Sequence, residues 1–225
     1  MQPAFSAADH DFMAQALRLA ERGLLTTTPN PRVGCVIVRD RQVVGEGWHM
    51  RAGGQHAEVH ALRAAGDRAH GATAFVTLEP CSHHGRTPPC AETLLAAGVQ
   101  RVVAAIEDPN PLVAGRGLAT LRQAGVRAEC GLLADEAREL NIGFVARMTR
   151  ARPWLRLKLA ASLDGKTALL NGASQWLTQP MADGRGSEAG RPSLAGPRMC
   201  HPDRYRHGAR GRSAAQRPRC RGTAR

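Results

Sequence analysis

A chain of 225 residues, 43% of them hydrophobic, is long enough for one or two domains and has enough apolar residues for a packed core. Its formal charge of +12 invites a nucleic-acid partner, yet residues 177–225 hold 11 of the 31 Lys and Arg and only 3 of the 19 acids, so residues 1–176 carry a net +4 and no specific nucleic acid is expected. The six cysteines lack the density of a disulfide framework, no apolar run reaches the roughly 18 residues of a membrane span, and the first ten residues have neither the charged nor the apolar part of a signal peptide; the expectation is a cytoplasmic chain without a membrane partner.

Taken in order, Ser6 and Asp9 form a capping-box variant, and Phe12, Ala16, Leu17, Leu19 and Ala20 repeat at helical spacing up to Gly23. Residues 26–32 are turn formers. The β-branched run 33–38 reads as a buried strand, residues 39–42 as a hairpin turn and 43–49 as its return strand. A second helix starts near His56 and stops at Gly66. A third strand, 72–78, delivers Glu79, Pro80 and Cys81 at its carboxyl end. A third helix runs from near Pro89 to Gly98, a fourth strand covers 101–106, a fourth helix 117–125, a fifth strand 126–130, and a further helix 134–147. The alternation argues for an α/β sandwich with a mostly parallel sheet after the opening hairpin. Pro153 opens what reads as another strand and turn. The sequence from about residue 179 is rich in Arg, Gly, Ala and Pro and has no hydrophobic period.

The chemistry-bearing stretch lies between His56 and Cys90. His56 and Glu58 are separated by one residue, Pro80 and Cys81 follow, and Cys90 comes after eight intervening residues. His56, Cys81 and Cys90 are zinc ligand types, and three such ligands leave the fourth tetrahedral position for water, as a catalytic zinc requires. Zinc lowers the pKa of that water towards neutrality. Glu58 can take the water proton and pass it to a leaving amine. The helix N-termini expected at His56 and Cys90 favour thiolate sulfur. The bland alternative is a structural zinc closed by His83 or His84, which leaves Glu58 without a task.

The His-x-Glu and Pro-Cys elements resemble the cytidine-deaminase superfamily signature. The second cysteine departs from its short spacing, since position 84 is His84 and the next cysteine is Cys90. That longer loop is similar to the deaminase domain of the bifunctional riboflavin-biosynthesis deaminase/reductase family. Residues 28–34, 45–49 and 108–117 support the same resemblance, which covers roughly 5 to 178. It implies a three-layer α/β/α cytidine-deaminase-like sandwich on a five-stranded mixed sheet over residues 1–150, one Zn2+ per chain, and hydrolysis of the 2-amino group of 2,5-diamino-6-(5-phosphoribosylamino)pyrimidin-4(3H)-one, a small-molecule phosphoribosyl pyrimidine. By the same resemblance, Asn30 and His49 hold the pyrimidine and the Ala57 N–H orients a ring oxygen. His83 and Arg86 lie near the ribose phosphate, where an arginine offers a bidentate fork.

Residues 151–178 resemble the start of that family's NADPH-dependent reductase domain. The resemblance makes Ala160 and Trp176 cofactor contacts and Ser174 a substrate contact. It stops at about residue 178, where composition also changes. The expectation is a non-native, out-of-frame tail over 179–225, too poor in apolar period to fold, and loss of reductase activity. Two rivals remain open: a nucleic-acid base deaminase aided by the basic tail, and a non-catalytic zinc-stabilised binding module. Homo-oligomerisation is left open as well.

Overall fold

The computed structural model describes residues 5–83, 88–111, 113–159 and 161–168. Helix α1 (Ala7–Glu21) begins on the expected capping box: the Ser6 hydroxyl accepts the Asp9 N–H, and the Asp9 carboxylate accepts the Ser6 N–H. Strands β1 (Gly34–Arg39) and β2 (Gln42–Trp48) form the hairpin. Asp40 and Arg41, both at positive φ, make its two-residue turn, in the sense that matches strand twist. Helix α2 (Ala57–Ala65) is followed by a 3-10 turn (Gly66–Ala69) and β3 (Thr73–Val76), then α3 (Cys90–Ala96), β4 (Arg101–Ala104), α4 (Arg116–Gln123) and β5 (Arg127–Cys130).

The five strands lie in the order β2-β1-β3-β4-β5. Only β1 runs against the rest: it is antiparallel to both β2 and β3, while β3, β4 and β5 are mutually parallel. Opposite faces of the sheet carry α1 and α2. Gly34 pairs with Trp48, so Gly34 and Gly47 point to opposite sides. A Cβ on Gly34 would stand 2.0 Å from the Ala16 carbonyl of α1, and one on Gly47 2.3 Å from the Ala57 carbonyl of α2. Gly45 is seated on α2 in the same way, 2.2 Å from the Ala61 carbonyl. The crossovers β3-α3-β4 and β4-α4-β5 place α3 against α2, and α4 against α3. The core between the layers is Met13, Val36, Ile37, Phe75, Val76, Val102, Val103, Leu94, Leu118 and Leu121.

Two expectations are corrected. The single helix over 134–147 is two helices, α5 (Ala134–Leu140) and α6 (Ile142–Arg150), broken at Asn141. Asn141 is fully buried, and its side chain accepts the Arg32 N–H at 2.8 Å and donates to the Arg32 carbonyl at 2.9 Å. This clasp holds the loop before β1 as a strand neighbour would. The strand expected from Pro153 does not form: residues 153–159 are irregular, and Leu155, Leu157 and Leu159 are 85%, 66% and 69% exposed. A strand needs a partner for its backbone groups, and among the described residues none pairs with this segment. Ala160, Ser174, Trp176 and the tail 179–225 lie outside the described residues.

Candidate metal centre

The carboxyl end of β3 and the first turns of α2 and α3 converge on one point. His56 is the N-cap of α2, Cys81 follows β3, and Cys90 is the first residue of α3. Their ligand atoms all lie within 4.8 Å of one another. The Nδ1 atom of His56 is 3.2 Å from the Cys90 sulfur and 3.5 Å from the Cys81 sulfur. The Cys90 N–H, free at a helix start, donates to the Cys81 sulfur at 3.3 Å. Hydrogen bonding from the Cys90 thiol, aided by His56, holds Cys81 far below the usual thiol range, and the same pairing pushes Cys90 up. The bond to Cys81 in turn raises His56. One nitrogen and two sulfurs, one of them readily ionised, are the donor chemistry of zinc.

Glu58, in the first turn of α2, is only 3% exposed, and its Oε2 atom is buried without a hydrogen-bond partner. Burial pushes its pKa up, with His56 offsetting part of the rise. Buried carboxylates are normally paired. Here the backbone of Glu58 and the Cys90 thiol hydrogen-bond to the carboxylate, yet Oε2 itself has no partner beside the three converging ligands.

His49 and Asn30 are brought together on the approach to the cluster. His49 is buried, its ring edge-on to that of His56 with centroids 5.8 Å apart. Its Nδ1 lies 2.9 Å from the Gln55 carbonyl, which can only accept. Nδ1 therefore carries the proton, and Nε2 accepts from the Asn30 amide at 3.2 Å. Burial lowers the His49 pKa, which keeps this neutral form. Ala57, the first residue of α2, is fully buried. His83 is exposed and is not a member of the ligand cluster. His84 and Arg86 lie outside the described residues.

Sequence reasoning passed over Glu79. It is 5% exposed and collects four backbone N–H groups: Asp108 and Gly115 on Oε2, Gly117 and Leu118 on Oε1. Only its place beside Pro80 and Cys81 signalled it, because its donors come from a distant loop. Burial pushes the Asp108 carboxyl above its ordinary range.

Residues 6–106 match the cytidine and deoxycytidylate deaminase zinc-binding region, which includes all three candidate ligands and Glu58. Riboflavin biosynthesis protein RibD of Escherichia coli is 63% identical over 174 residues, 77% of this chain and 47% of that protein. A diaminohydroxyphosphoribosylamino-pyrimidine deaminase of Buchnera aphidicola is 46% identical over 145 residues, 64% of this chain and 99% of that protein. A solved structure of Acinetobacter baumannii RibD is 57% identical, matching 76% of this chain and 48% of that one with a TM-score of 0.73. The chain thus spans about half the length of the RibD proteins it matches. No helix among the described residues is long and apolar enough to cross a membrane.

Proposed function

This chain belongs to the diaminohydroxyphosphoribosylaminopyrimidine deaminase family, and on that premise we propose that it removes the 2-amino group of 2,5-diamino-6-(5-phosphoribosylamino)pyrimidin-4(3H)-one by hydrolysis, as a step of riboflavin synthesis. His56, Cys81 and Cys90 would hold one zinc. Bound there, the ion lowers the pKa of a water and so supplies a nucleophile at neutral pH.

The residues do the rest. Glu58 takes a proton from water onto its unpartnered Oε2 and hands it to the departing amine, so that ring C–N is replaced by C–O and ammonia leaves. Its raised pKa suits a carboxyl that must hold a proton between those two steps. Asn30 binds the pyrimidine: its amide is committed to His49, which leaves its side-chain oxygen to accept a ring or exocyclic N–H. His49, neutral and locked by Gln55, fixes that orientation and closes the pocket. The Ala57 N–H orients the ring oxygen. His83 and Arg86 serve the ribose phosphate. In this reading the deaminase occupies residues 1–150, and residues 151–178 are a reductase fragment in which Ala160 and Trp176 stand at NADPH positions and Ser174 at a substrate position.

The buried, unpartnered Oε2 of Glu58 beside the ligand cluster carries the proposal, because a zinc-stabilised binding module gives no reason to bury it. Purified chain should contain one zinc and release ammonia from the phosphorylated pyrimidine without oxidising NADPH. Arg86→Ala should raise KM more than it lowers kcat. Equal turnover of the phosphorylated and dephosphorylated pyrimidines would remove the phosphate role, and absence of ammonia release from zinc-loaded chain would remove the reading as a whole.

A further inference from the structure

We propose that Glu79 is a positioning residue of this centre, holding Pro80 and Cys81 in register with the segment that runs from Asp108 into α4. The inference rests on the zinc reading above. A helix start is ordinarily capped by a Ser, Thr, Asp or Asn at its own N-cap. Here the N-cap is Gly115, with no side-chain cap, and the N–H groups of Gly115, Gly117 and Leu118 turn instead to a carboxylate 36, 38 and 39 residues earlier, at 2.8, 2.8 and 3.2 Å. A local serine would satisfy the helix; only a remote carboxylate ties it to the strand end.

Glu79 is secured from three sides. Its own N–H donates to the Ile106 carbonyl at 2.9 Å, which sets it against the end of β4. Its Oε2 also takes the Asp108 N–H at 3.0 Å. Gly117 rests on the next residue: a Cβ there would stand 1.9 Å from the Pro80 carbonyl oxygen, so α4 touches the peptide that leads into Cys81. Pro80, with φ fixed by its ring, transmits the setting of residue 79 to residue 81 with little slack. Loss of the Glu79 carboxylate should therefore loosen one metal ligand while leaving the other two in place.

The test follows zinc release from the full, zinc-loaded chain into excess chelator, at a temperature where every variant retains its circular dichroism. Glu129 supplies the control. It too is a buried carboxylate, 8% exposed, but it lies in β5 and pairs with Arg101 and Arg127. Glu79→Gln should release zinc about tenfold faster than the parent chain. Glu79→Asp, which keeps the charge but reaches fewer donors, should fall between. Glu129→Gln should melt earlier and release zinc at the parent rate. Parent-like release from Glu79→Gln, whatever its melting temperature, would overturn the proposal, as would equal acceleration in Glu129→Gln. Failure of both Glu79 variants to fold would make the carboxylate a folding requirement and overturn it too. A parent chain that holds no zinc would instead strike the metal reading beneath it.

Discussion

The two ends of the sheet treat buried charge in opposite ways. At one end Arg101 lies between Asp9 and Glu129, 2.7 Å from each, and Arg127 completes the group. Every carboxylate there has a cation. At the other end Glu58 is buried with one oxygen unpartnered, two residues from a proposed metal ligand. Satisfied networks stabilise or specify a fold, whereas an unsatisfied buried group is a cost the fold tolerates for a reason. The first end belongs to stability, the second to chemistry, and substitutions should separate them.

The largest effect should come from Glu58→Gln, with kcat for deamination down by about a thousandfold. Zinc content should stay at one per chain and the melting temperature should not fall, since the substitution removes a buried charge with an unpartnered oxygen. A lowered melting temperature with intact turnover would erase the contrast between the two ends. Cys81→Ser and Cys90→Ser should each strip most of the zinc, measured by atomic absorption. Arg101→Met works at the opposite end. It leaves Asp9 and Glu129 without their shared cation and should reduce stability by about 3 kcal/mol in denaturant titration, with turnover per folded molecule unchanged. Asn141→Ala removes two hydrogen bonds to Arg32 and should take about 2 kcal/mol.

The smallest effect is in pH, and the ends differ in sign. Burial would raise Asp9 and Glu129, but hydrogen bonds from Arg101, with Ser6 and Arg127, outweigh it and hold both below their ordinary values of 3.8 and 4.5. Their contribution is present above those values and is lost as pH falls through the folded-state pKa. Glu58 is raised, so in zinc-free chain it penalises folding increasingly as pH climbs from its ordinary value of 4.5 to its folded one. Glu58→Gln should remove that second slope and leave the first, which chemical denaturation between pH 3 and 7 would reveal.

Much of this was readable from residue types alone. The candidate ligands could be named because His, Cys and a nearby Glu have few other uses in that arrangement, and the strands because β-branched runs lie between turn formers. The break at Asn141 could not be seen, since the apolar period of 134–147 continues through it and the cause is a backbone 109 residues away. Glu79 was hidden for the same reason: its four donors are supplied by chain beyond residue 107. The segment after Pro153 has strand-like composition, yet composition cannot provide a neighbouring strand.

The glycine seats under α2 have a consequence for how this pocket could be varied. With Gly45 and Gly47 in backbone contact with the carbonyls of Ala61 and Ala57, the helix rides as close to the sheet as peptide atoms allow. One methyl group at Gly47 would lift the start of α2, and His56 and Glu58 with it, and one at Gly45 would push out its second half. The cluster is therefore built on a floor that admits no adjustment, and a variant with a new substrate would have to be sought away from the contact of β2 with α2. Saturation libraries at Gly45 and Gly47 should return glycine almost alone.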